Sequence, residues 1–173
     1  MSEYHKNCYE FRYKQNCIIV DLDGTTAIEK NKSDIPTSNN REDWDKFHID
    51  RQMYSLDKFS PAHKIIYLIQ YYYEHFFGKL YIIFLTARED TFNGEIRKNT
   101  QLFIDKYFSL INKDDILLFM REENDYRKSH EVKESFLLDK ILPHYNVVMA
   151  FDDEENNIQM FNKHGITCLK VYL

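Results

Sequence analysis

Four apolar residues, Cys17 to Val20, stand between the polar pair Gln15-Asn16 and Asp21. Comparable short runs recur at 80–85, 117–120, 147–151 and 168–172. They are nearly continuous rather than alternating, which is the pattern of strands covered on both faces. Between them the apolar positions move to helical spacing. Ser60-Pro61 reads as an N-cap followed by proline at the first helical position, and Ile65, Ile66, Ile69, Tyr72, Tyr73 and Phe76 follow on one stripe. Ile96, Phe103 and Tyr107 mark a second helix, and Val132, Phe136 and Ile141 a third. Ile158 and Phe161 mark a fourth, which Gly165 ends. Strands alternating with helices predict an α/β fold with a central, mostly parallel five-stranded sheet flanked by helices.

Residues 28–60 break this alternation. They are rich in Asn, Asp and Ser and weakly periodic outside a short "DWDKF" patch. Long irregular segments in compact domains are usually functional or disordered. This one follows the first strand directly, so it reads as a small flap over that strand's end and not as a second domain. Within it, Trp44 suits a packing anchor and a base-stacking platform equally well. Residues 1–16 read as a polar N-terminal extension and 17–173 as the domain itself. The tract "IQYYYEHFF" tempts a nucleic-acid stacking reading, yet three of its aromatics, Tyr72, Tyr73 and Phe76, fall on the apolar stripe of the first helix.

Composition narrows the partners. With 173 residues, 43% hydrophobic and 29% charged, the chain is an ordinary globular domain long enough to bury a core. The net charge of −5 excludes a generally basic surface for nucleic acid, so any polyanion has to be held by local cations or a metal. Cys8, Cys17 and Cys168 have no metal spacing and cannot all pair, which fits a reducing cytoplasm. No apolar run is long enough to span a membrane, and the N-terminus lacks an apolar signal core. The only glycines, at 24, 78, 94 and 165, build no phosphate-binding loop, so no kinase half is expected.

The chemistry starts at "DLDGTT", residues 21–26. An Asp-Gly pair is a common turn, but no matching strand is evident after it, which argues against a hairpin. A calcium loop is excluded because Thr26 and Lys32 occupy the positions that need Gly and Glu. Polar groups also end other strands: Thr86 and Arg88 in "FLTAR", Asp152 and Asp153 in "FDD", with Lys133 on the third helix. In an open parallel sheet all of these gather at the carboxyl ends of the strands, where ligands bind. Crowded carboxylates with no His or Cys point to Mg²⁺. A hydroxyl, an arginine and a lysine beside that ion make a phosphate cradle. Asp21 can then attack phosphorus as a nucleophile, while Asp23 protonates the leaving oxygen and activates water.

Together "DLDGT", "FLTAR", Lys133 and "FDD" resemble the haloacid dehalogenase superfamily, in order and spacing over 17–173. The stretches "TAREDTFNGEIRKNT" and "FMREENDYRKSHEVKESFLLDKILPHYNVVMAFDD" are closest to the 3′-phosphatase domain of phage polynucleotide kinase-phosphatase. The resemblance implies a Rossmann-like fold and a Mg²⁺-dependent 3′-phosphatase acting on nucleic-acid ends. It implies catalytic roles for Asp21, Asp23, Thr86 and Lys133, and metal binding by Asp21, Asp23, Asp152 and Asp153. Substrate contacts fall to Arg88, Arg97, Arg127 and Lys32. The chain departs from the family pattern at Thr26, Lys32, Ser129 and Glu154. Arg121, Arg127 and Lys128 can guide a phosphate backbone or form a solvated loop among Glu122, Glu123 and Asp125. A separate kinase or ligase partner is expected, in the cytoplasm or, for a phage chain, in that of the host. A nucleotidase or small-metabolite phosphatase is the alternative enzyme. A silent protein that grips phosphorylated ends is the non-enzymatic one, disfavoured by the presence of both Asp21 and Asp23.

Overall fold

The computed structural model describes residues 14–29, 59–91 and 93–172, together with Asp43 and Lys46. Strand β1 (Gln15–Val20) starts two residues ahead of its apolar run and stops where Asp21 begins. Two three-residue strands, β2 (Ala27–Glu29) and β3 (Phe59–Pro61), pair antiparallel as a ribbon apart from the main sheet. Helix α1 (His63–His75) leads to β4 (Leu80–Glu89), and α2 (Glu95–Tyr107) to β5 (Ile116–Arg121). Next, α3 (Ser129–Phe136) continues into a π turn (Leu137–Ile141) before β6 (Tyr145–Asp152). Helix α4 (Glu155–Lys163) and β7 (Cys168–Lys170) complete the chain.

Five strands form one sheet in the order β5-β4-β1-β6-β7, each neighbour parallel to the next. This is the five-stranded parallel sheet predicted from the apolar runs, in the Rossmann-like form that the resemblance implied. Alternation along β1 divides its side chains between two cores. Ile18 and Val20 pack with Ile66 and Ile69 of α1 and with Phe103 and Ile104 of α2. Cys17 and Ile19 pack on the opposite face with Leu137, Ile141, Met160 and Phe161. Each such side chain, once buried, contributes roughly 1.5–3 kcal/mol.

One local expectation fails. Ser60-Pro61 is not a helix start but the end of β3, where Ile28 pairs with Ser60 and Ala27 with Pro61. Proline lacks a donor and is tolerated at a strand end. The helix begins two residues later, after the Ala62 N–H has donated to the Thr26 carbonyl at 2.9 Å. The ribbon also shows that a short strand does follow "DLDGTT", although it pairs with the far end of residues 28–60 and not with β1. Gly165 ends α4 as expected. With φ of +74° it donates to the Asn162 carbonyl, while Ile166 donates to Phe161, both at 3.0 Å.

Candidate active site

The strand order reverses at β1, whose two neighbours β4 and β6 lead to opposite edges of the sheet. A crevice outside the carboxyl ends opens at such a reversal. Val20 pairs with Phe84 on one side and Phe151 on the other, so Asp21 leaves the sheet at its centre. The N–H groups of Thr25, Thr26 and Ala27 all donate to the Leu22 carbonyl. A turn this tight uses Gly24 at φ +86°. A Cβ on Gly24 would stand 2.2 Å from Asp153 Oδ2, so the glycine also makes room for a carboxylate arriving after β6. The Thr25 hydroxyl donates to Asp153 Oδ1 at 3.2 Å.

Lys133 reaches this crevice from α3 and is 1% exposed. Its ammonium donates to Asp21 Oδ1 and to Asp152 Oδ2, each at 2.7 Å. The other Asp152 oxygen accepts from Asn157 Nδ2 and from the Glu154 N–H, both at 3.0 Å. Carboxylate oxygens of Asp21, Asp152 and Asp153 lie within 4.8 Å of one another. At an effective dielectric near 20, two charges about 5 Å apart repel by roughly 3 kcal/mol. Lys133 bonds two of these three acids, and the third, Asp153, accepts from Thr25. Burial pushes the Asp21 carboxyl up, against the pull of Lys133 and with the help of Asp152. Burial, and then Asp152, also raise Asp153. Burial works against the Lys133 charge, yet Asp21 and Asp152 hold its pKa above the ordinary value. A donor set made only of oxygens and short of positive charge fits a hard divalent cation.

Asp23 belongs to a second, adjoining group. Arg88, 1% exposed, donates from Nε to Asp23 Oδ2 at 2.8 Å and from Nη2 to Oδ1 at 2.7 Å. Its Nη1 donates to Thr100 Oγ1 at 3.1 Å, and the guanidinium lies 4.9 Å from the centre of the Phe59 ring. The structure thus places Asp23 outside the group of three acids, because both of its oxygens engage the arginine fork.

The carboxylate group, its lysine and the acid two residues on are the arrangement expected of an aspartate-based phosphatase. A family model for the phosphatase domain of polynucleotide kinase PNKP, of the haloacid dehalogenase type, matches residues 15–173. The chain belongs to this family. It is a phosphatase, and its sheet and site span the matched region. Among solved structures, the Pnkp1/Rnl/Hen1 RNA repair complex is similar, with a TM-score of 0.68 and 23% identity over 91% of this chain and 42% of that one. A second structure of the Pnkp1/Rnl/Hen1 complex has the same TM-score and identity, over 91% of this chain and 46% of that one. The chain thus spans less than half the length of the chains it matches.

Thr86, Arg97 and Arg127, also expected at the site, make contacts of their own. The Thr86 hydroxyl accepts from the Arg88 N–H at 3.2 Å and so shapes the end of β4. Arg97 pairs with Asp90 at 2.6 Å and donates to the Leu118 carbonyl at 3.2 Å, beside edge strand β5. Arg127 is paired with Asp125 at 2.6 Å on the surface. Lys32 and Trp44 lie outside the described residues. Thr25, Thr100, Asn157 and Phe59 escaped the sequence reading. A signal existed for Thr100, a polar residue on the otherwise apolar stripe of Ile96, Phe103 and Ile104. Asn157 offered a weaker one, a buried polar residue on the first turn of α4. No helix among the described residues is long and apolar enough to cross a membrane.

Proposed function

We propose that the chain removes 3′-phosphates from nucleic-acid ends as a Mg²⁺-dependent phosphomonoesterase. The carrying observation is the placement of Asp21: paired to Lys133, grouped with Asp152 and Asp153, and two residues from an acid held by its own arginine. Asp21, Asp152 and Asp153 would hold the ion, which when bound offsets the charge of the phosphate and of the acids. An Asp21 oxygen attacks phosphorus, and the bond from phosphorus to the 3′-oxygen breaks. Asp23 gives its proton to that oxygen. The aspartyl-phosphate then loses its phosphoryl group to water, whose proton returns to Asp23, so both acids are regenerated. Lys133 keeps Asp21 oriented through both steps, while Thr100 and Phe59 hold Arg88 in the crevice, where its guanidinium turns from Asp23 to the phosphate and lets Asp23 take up the proton that it donates.

The family supports the nucleic-acid substrate, and the similar structures of Pnkp1 with Rnl and Hen1 support a place in an end-repair assembly. A kinase or ligase would then act on the same ends from another chain or segment. The test compares phosphate release from 3′-phosphorylated oligonucleotides with release from nucleoside 3′- and 5′-monophosphates, with Mg²⁺ and with EDTA. The expected result is a strong oligonucleotide preference, lost in EDTA and in Asp21→Asn. Better turnover of mononucleotides would make the chain a nucleotidase, and an active Asp21→Asn variant would overturn the role of Asp21.

A further inference from the structure

A cavity of about 310 Å³ opens at the outer edge of the sheet, by the end of β5. Phe119, Met120 and Phe136 supply its apolar lining, with the two rings 5.6 Å apart. Asp90, Arg97, Glu122 and Glu123 supply the polar lining. Met120 pairs with Thr86 in the sheet, and the Asp90 N–H donates to the Arg121 carbonyl at 2.8 Å. The cavity therefore lies level with the catalytic strand ends. β5 is two strands from β1, about 10 Å at the usual strand spacing.

Its position fits one part of the substrate. The three grouped acids draw on the β6 side of Asp21, whereas Arg88 holds Asp23 toward β4. The acid that protonates the leaving oxygen faces the leaving nucleoside, so the nucleoside extends over β4 and β5. Its chemistry fits the base and not the phosphate. Arg97 is already matched by Asp90 and by the Leu118 carbonyl, which leaves Glu122 and Glu123 to repel a phosphate. Aromatic and thioether groups suit a planar ring, and carboxylates only accept hydrogen bonds.

Resting on the phosphatase reading above, we infer that this cavity receives the nucleobase at the 3′-phosphorylated end, and that it favours bases bearing an exocyclic amine. Adenine and cytosine offer donors to the acids. Uracil, with a carbonyl in the same place, sets acceptor against acceptor.

The test measures kcat/KM on 3′-phosphorylated oligonucleotides ending in adenine, cytosine, uracil or an abasic residue. The abasic end should be about tenfold poorer than the adenine end, the order expected for one lost stacking contact. Uracil should fall between them. A double variant, Glu122→Gln with Glu123→Gln, alters exposed side chains outside the core and should narrow the gap between adenine and uracil. Equal rates on abasic and adenine ends would overturn the base site. An unchanged gap in the double variant would overturn the amine preference. Phosphate release from none of these ends, with turnover of small phosphomonoesters intact, would instead overturn the nucleic-acid reading and this inference with it.

Discussion

Lys133 carries the charge balance of the site. It is buried and bonded to two acids at 2.7 Å, so its removal takes from Asp21 and Asp152 the cation that both of them engage among the described residues. Breaking a buried pair from one side typically costs about 3–5 kcal/mol. Lys133→Met should lower the urea midpoint of the metal-free protein by a corresponding amount, and Mg²⁺ should restore more stability to the variant than to the parent. An unchanged midpoint would mean that the acids are protonated in the resting protein. Asn157 acts one step further out, by fixing the Asp152 oxygen that Lys133 does not hold. Removal of such outer partners typically costs about 10–100-fold in metal affinity. Asn157→Ala should therefore weaken Mg²⁺ binding in calorimetry by that order, with most of kcat recovered at saturating Mg²⁺. Full affinity in the variant would reduce Asn157 to a packing residue.

Among elements, the turn after β1 is the most constrained. Gly24 combines a left-handed backbone with a Cβ position already filled by Asp153. Gly24→Ala meets about 1–2 kcal/mol of backbone strain and also displaces a carboxylate of the ion site. Thermal denaturation should show the first effect and calorimetric Mg²⁺ titration the second. A variant that loses stability but binds Mg²⁺ normally would show that Asp153 is dispensable for the ion. The same turn marks the limit of what the sequence discloses. The apolar runs of β1, β4, β5 and β6 were legible because strands covered by helices require continuous apolar residues, and that of β7 was legible although Leu169 and Lys170 are exposed at the sheet edge. The β2–β3 ribbon was not, since three-residue strands carry no period and Ser60-Pro61 imitates a helix start. Asp21, Asp23, Lys133 and Asp152 could be found from strand ends and motif order. Thr25 and Phe59 could not, because their partners Asp153 and Arg88 are distant in the chain, and Thr100 and Asn157 left only the trace of a polar residue among apolar helix positions.

At the scale of the whole molecule, folding stores charge conflict that an ion can relieve, and this sets a dependence on pH. Burial raises both Asp21 and Asp153 above the ordinary carboxylate value. A group raised in the folded state binds protons more tightly there than in the unfolded chain. Its stabilising contribution is complete below the unfolded pKa of about 4 and is lost as pH rises through the folded one. For these two acids, then, the metal-free protein loses stability from weakly acidic toward neutral pH. Binding of Mg²⁺ requires the ionised carboxylates, so protons compete with the ion and affinity rises over the same window. Melting temperatures recorded with and without Mg²⁺ between about pH 5 and 8 should diverge as pH rises, because the metal-free curve falls while the loaded one does not. Parallel curves would mean that Asp21 and Asp153 are already ionised at the acidic end, with Lys133 alone sufficient to hold them so.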